Sequence, residues 1–130
     1  MPSFKVLVVD DEFDFLETIV KRLQKRKIDA TGVGSGLEAL KLLEETSFDI
    51  LILDVKMPKM DGIETLKEIK RRWPAVEVIM LTGHASVESG MQGMQLGAFD
   101  YVMKPAKLDD LIEKMVQAYE RKLLREKQIR

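Results

Sequence analysis

The chain has 130 residues, is 45% hydrophobic, and carries 21 Lys and Arg against 22 Asp and Glu, for a net charge of −1. That length and apolar content suit one domain with a buried core and exclude a disordered segment. Near-neutrality gives no global attraction to nucleic acid or to an anionic membrane. Cysteine is absent, which excludes disulfides and thiolate chemistry. The N-terminus, Met-Pro-Ser-Phe-Lys, lacks the basic-then-apolar pattern of a secretory signal, and no apolar run approaches the ~20 residues of a membrane span. The expectation is a soluble, cytoplasmic protein.

Short apolar runs alternate with amphipathic ones along the chain. Phe4 to Val9 is β-branched, apolar throughout and ends abruptly in acids, as a buried strand does. Glu12 to Lys27 has helical spacing at Phe15, Ile19 and Leu23, with Leu16 and Val20 beside them. Ala30 to Val33 is a shorter strand. Ser35 to Glu45 is a helix whose Ser35 and Glu38 form a capping-box pattern. Asp49 to Leu53 is a second buried strand, and Gly62 to Arg72 is a helix that Pro74 stops. Val76 to Leu81 is again strand. Ser86 to Leu96 reads as a helix weakened by Gly90 and Gly93. Phe99 to Met103 is a short strand, and Leu108 to about Lys127 is a last helix with Leu111, Ile112, Met115, Val116, Tyr119 and Leu123 on one face.

The result is five βα units. Apolar strands alternating with helices predict a doubly wound α/β domain, with a five-stranded parallel sheet covered on both faces. Right-handed crossovers bring the C-terminal ends of the strands to one edge, where such folds bind ligands. The groups that follow the strands are Asp10, Asp11 and Glu12; Asp54; Thr82; and Lys104. Converging carboxylates repel and raise each other's pKa unless a cation joins them. A hard divalent ion such as Mg²⁺, or Mn²⁺ in its place, suits oxygen ligands, whereas a single His and no Cys make zinc a poor match. A carboxylate can attack phosphorus, and a metal ion, a Lys and a Thr hydroxyl can offset the charge on the transferring group.

Four motifs occur in order, each after a predicted strand: Val-Val-Asp10-Asp11-Glu12; Leu-Asp54-Val-Lys56-Met57-Pro58-Lys-Met60-Asp61-Gly62; Leu-Thr82-Gly83-His84-Ala85; and Gly97-Ala98-Phe99-Asp100-Tyr101-Val-Met-Lys104-Pro105. Together they resemble the receiver domain of two-component response regulators, over about Lys5 to Tyr119. The resemblance implies a flavodoxin-like strand order 2-1-3-4-5, like that of chemotaxis receivers. It implies phosphorylation of Asp54 by the phosphohistidine of a sensor histidine kinase or a histidine phosphotransfer protein, as in a phosphorelay. Mg²⁺ would be held by Asp11, Asp54 and the backbone carbonyl of Lys56, with Asp10 assisting. Lys104 and Thr82 would contact the phosphoryl oxygens, Thr82 and Tyr101 would form the switch pair, and the Lys104-Pro105 peptide would be cis. The side chains of Lys56 and His84 would flank the site and tune dephosphorylation without carrying the chemistry.

Taken singly, these residues have plainer readings. Asp10 to Glu12 could complement a helix dipole, Asp54 could form a turn before Pro58, Thr82 could cap a turn, Lys104 could be solvated and Tyr101 could be core. Joint placement after successive strands is what gives the set its chemical meaning. A phosphatase or dehalogenase with an Asp nucleophile usually carries a second Asp two residues on, where this chain has Lys56. A degenerate receiver usually loses Asp11, Asp54 or Lys104, all present here. A flavin site would need a phosphate loop where the chain has acids. The expected activity is therefore a phospho-accepting switch with self-phosphotransfer and autodephosphorylation only, rather than an enzyme.

Residues 1–120 are expected to form the receiver and 121–130 a basic helical extension or linker stub with a local charge of +4. No DNA-binding module follows, so direct nucleic-acid or membrane binding is not expected. An output domain or target protein would read the switch, and phosphorylation could pair two copies through Gly90 to Tyr119. Met57 and Met60 suit kinase docking, whereas Met80, Met103 and Met115 read as core.

Overall fold

The computed structural model describes residues 3–55, 62–83 and 87–129, apart from the side chains of 87–90, 128 and 129. Five strands alternate with five helices: β1 Lys5–Val9, α1 Phe13–Lys25, β2 Asp29–Val33, α2 Gly36–Glu45, β3 Ile50–Asp54, α3 Gly62–Arg72, β4 Glu77–Thr82, α4 Val87–Gln95, β5 Asp100–Met103 and α5 Leu108–Ile129. All strand pairs are parallel, in the order β2-β1-β3-β4-β5 predicted above.

Strand alternation divides the core into two layers. Leu7, Val9, Leu51, Leu53, Val78 and Met80 face α2 and α3, where Leu40, Leu43, Ile63, Leu66 and Ile69 cover them. Val6, Val8, Ile50, Ile52, Ile79 and Leu81 face α1 and α5, where Leu16, Ile19, Leu23, Leu111, Ile112 and Met115 cover them. The three central strands are therefore apolar on both faces, which is why they read as unbroken apolar runs rather than as alternating ones. Full burial of each Leu or Ile side chain contributes about 1.5–3 kcal/mol before the entropy of ordering it.

Local chemistry fixes the helix ends. Ser35 accepts the Glu38 N–H on its hydroxyl at 3.1 Å, the predicted cap. The reciprocal arm of Glu38 accepts from the Gly34 N–H at 2.9 Å rather than from Ser35 itself. At the end of α4, Gly97 takes a φ of 104° and lets the Ala98 N–H return to the Gly93 carbonyl at 3.0 Å. Met80 and Met115 are buried as expected, but Met103 is 41% exposed. It ends the edge strand β5, which has a neighbour on one side only.

Candidate functional site

The parallel sheet delivers Asp10, Asp54, Thr82 and Lys104 to one edge, because each follows or ends a strand running the same way. Asp10 is fully buried, and its Oδ1 accepts the Glu12 N–H at 2.9 Å, tightening the turn into α1. Its own N–H donates to the Val33 carbonyl at 3.1 Å, which ties the turn to β2. Asp11 is exposed and Asp54 is buried. Carboxylate oxygens of Asp10, Asp11 and Asp54 all lie within 4.8 Å of one another. Mg²⁺ takes oxygen ligands at about 2.0–2.1 Å, so ligands across it stand roughly 4 Å apart. The three carboxylates thus fit a small, hard divalent cation with little movement.

Lys104 reaches across from the end of β5. Its Nζ is 3.1 Å from Asp10 Oδ2, 3.7 Å from Asp54 Oδ1 and 3.9 Å from Glu12 Oε1. Burial works against its charge, but the Asp10 hydrogen bond and the Asp10, Asp54 and Glu12 charges outweigh this and raise its pKa above the ordinary value. The Lys104 N–H donates to the Thr82 carbonyl at 2.7 Å, and the peptide to Pro105 is cis. The Thr82 side chain is buried, and among the described residues its hydroxyl has no hydrogen-bond partner. Such a group costs stability unless a ligand uses it.

Tyr101 stands next to Met80 in register, two strand positions short of Thr82's partner Met103. It is half-buried and packs against the layer that holds α3. Lys56 and His84 lie outside the described residues, as do Met57, Met60 and Asp61.

Two contributors escaped the sequence reading. Phe15 places its ring 4.6 Å from the Lys104 ammonium, a cation–π contact. Its helical spacing marked it only as core. Gly62 begins α3 directly against the end of β3. Its N–H donates to the Val55 carbonyl at 3.0 Å, and a Cβ there would stand 2.5 Å from the Asp54 carbonyl oxygen and 2.6 Å from the Val55 Cα. The signal for it was a Gly at a helix start with no obvious turn to serve.

A parallel α/β domain with three carboxylates, a lysine and a buried threonine at one sheet edge has the make-up of a receiver, and comparison with known sequences agrees. The chain belongs to the response regulator receiver domain family, whose family model matches residues 6–116. It is 39% identical over 109 residues to the transcriptional regulatory protein ZraR of Escherichia coli K12, covering 84% of this chain and 25% of that protein. It is 35% identical over 118 residues to the DNA-binding transcriptional regulator NtrC of the same strain, covering 88% of this chain and 25% of that one. The chain thus spans about a quarter of the length of these curated relatives. Among solved structures, a response regulator receiver domain protein from Clostridium thermocellum superposes with a TM-score of 0.89 at 37% identity, over 93% of this chain and 98% of that one. NtrX from Brucella abortus gives 0.91 at 28% identity, over 99% of this chain and 30% of that one.

Proposed function

We propose that this receiver accepts a phosphoryl group on Asp54 in a Mg²⁺-dependent transfer from the phosphohistidine of a sensor histidine kinase or a phosphotransfer protein. The observation that carries this reading is the position of Lys104, whose ammonium lies beside both the Asp10 and Asp54 carboxylates, at the edge where the Thr82 hydroxyl has no partner among the described residues. In the transfer an Asp54 carboxylate oxygen attacks phosphorus, the P–N bond to the imidazole breaks, and the imidazole leaves with the bonding pair. Asp11, Asp54 and the Lys56 carbonyl would hold the metal ion, with Asp10 assisting. The ion would offset charge on the phosphoryl oxygens. Lys104 would move from Asp10 toward a phosphoryl oxygen, and the Thr82 hydroxyl would donate to another.

The same reading makes Thr82 and Tyr101 the reporting pair. Once Thr82 turns to the phosphate, the half-buried Tyr101 ring moves inward and reshapes the surface beside β5. Lys56 and His84 tune the lifetime of the acyl phosphate, and His84→Ala should alter its decay without abolishing its formation. The output is a partner protein, a joined domain or a second copy of the chain.

Incubation with Mg²⁺ and acetyl phosphate, followed by intact mass, tests this. The chain should gain one phosphoryl group and Asp54→Asn none. No gain at saturating donor, or an equal gain in the variant, would sink it.

A further inference from the structure

A second charged cluster occupies the opposite edge of the sheet. Glu77 opens β4 with its side chain fully buried. A buried carboxylate is costly unless cations meet it, and here three do. Arg121 reaches Glu77 through Nε and also through Nη2, the latter 3.1 Å from Oε1. Arg125 Nη1 lies 3.2 Å from the same oxygen. Lys70 of α3 stands at 3.8 Å, its Nζ donating to the carbonyls of Pro74 and Val76.

Beside Glu77, the Asp49 carbonyl accepts the Glu77 N–H at 3.1 Å, so the two acids begin neighbouring strands. Lys122 pairs with the Asp49 carboxylate at 3.1 Å, and that carboxylate also accepts the Lys5 N–H at 2.9 Å. The Arg121 guanidinium lies 4.7 Å from the centre of the Phe99 ring. Arg121, Lys122 and Arg125 all lie beyond residue 116, where the family match ends. Apolar packing of α5 onto the sheet stops at Tyr119, and the leucines that follow, Leu123 and Leu124, are exposed. Among the described residues, the inward contacts of these last turns are therefore made by their cations, as ion pairs and as the Arg121 contact with the Phe99 ring.

We propose that Glu77 and Asp49 form a two-point ionic anchor that docks residues 120–127 of α5 onto the N-terminal edge of the sheet and fixes the direction in which the helix leaves the domain. A helix end with outward leucines and no apolar seat would otherwise fray. The fork of Arg121 on Glu77 supplies direction as well as attraction, since a planar guanidinium meets a carboxylate in few orientations. A segment joined to α5 is then held at a set angle to the sheet instead of swinging from a hinge near residue 120. The anchor is separate from the acidic edge: β4 carries Thr82 at its far end, roughly 16 Å away by strand rise.

Hydrogen exchange of the full chain tests the anchor with Glu77→Gln, which removes the charge and keeps the size. Amides of residues 120–127 should exchange at least roughly tenfold faster while those of β1 and β3 hardly change. Unchanged exchange at 120–127 overturns the proposal. So does a uniform acceleration along the chain, which would make Glu77 an ordinary contributor to the core. Should Glu77→Gln fail to fold, Arg121→Gln with Lys122→Gln removes the main cation at each point and gives the same reading: local acceleration supports the anchor, and none or a uniform one overturns it. Phosphoryl uptake at Asp54 should be unchanged in either variant, so loss of the anchor is distinguishable from failure of the phospho-acceptor reading.

Discussion

Three carboxylates within 4.8 Å of one another repel, and Lys104 is the cation that the chain itself supplies against them. Its folded pKa is raised above the ordinary lysine value of 10.5. A raised folded value means that the charged form stabilises the fold below 10.5 and that this contribution is lost as pH climbs through the folded value. Lys104→Met should therefore lower stability in chelator at pH 7 by about 1–3 kcal/mol, through loss of the ammonium that hydrogen-bonds the buried Asp10 carboxylate. The gap between variant and wild type should close as pH climbs through that raised folded value. Urea denaturation across pH checks both points, and a pH-independent gap would show that lost packing on Phe15 is the larger effect. Added Mg²⁺ should restore more stability to the variant than to the wild type, because the ion then replaces the missing charge.

At the scale of elements, the start of α3 sits hard against the end of β3. Gly62 lets the first turn of α3 press on the backbone of Asp54 and Val55, neither of which can rotate aside. Gly62→Ala should cost about 1–3 kcal/mol by forcing α3 away from the strand, and should slow phosphoryl uptake at Asp54 as that strand end shifts. Denaturation and the rate of mass gain with acetyl phosphate measure the two effects. A variant of unchanged stability and rate would mean that α3 withdraws freely. α5 offers the contrasting case. Its basic end reads in the sequence as a solvated extension, yet Arg121, Lys122 and Arg125 turn back to Glu77 and Asp49. Helical periodicity identifies which face is apolar, but it does not reveal that a buried acid on a distant strand is waiting for a cation.

For the whole molecule, the site joins elements that the core already holds in place. Asp10 follows β1, Asp54 ends the adjacent strand β3, and Lys104 follows the edge strand β5. Metal binding to the folded form alone should therefore raise global stability, by about 2.7 kcal/mol at a hundredfold excess over Kd. Thermal unfolding with Mg²⁺ and with EDTA checks this: the midpoint should rise with the metal, return with the chelator, and move less in Asp11→Asn. A midpoint indifferent to Mg²⁺ would count against the acidic cluster as a cation site. Among the described residues no helix is long and apolar enough to cross a membrane.

Much of this was legible in the chain because it is local or repetitive. Unbroken apolar runs mark strands buried on both faces, helical spacing marks the layers above and below, and acids, a threonine and a lysine at the ends of four of the five strands mark one edge of the sheet. Those features by themselves determined the βα alternation, the parallel sheet and the set Asp10, Asp11, Asp54, Thr82 and Lys104. Tertiary structure decided what depends on approach between distant segments. It placed Lys104 nearer to Asp10 than to Asp54 and set Phe15 against its ammonium. It left the Thr82 hydroxyl unpartnered among the described residues and pressed Gly62 onto the Asp54 backbone. It also buried Glu77 beneath the arginines of α5. Sequence spacing encodes which face a residue takes, whereas the distance between two side chains far apart in the chain is set by how the layers pack, and no local pattern carries that distance.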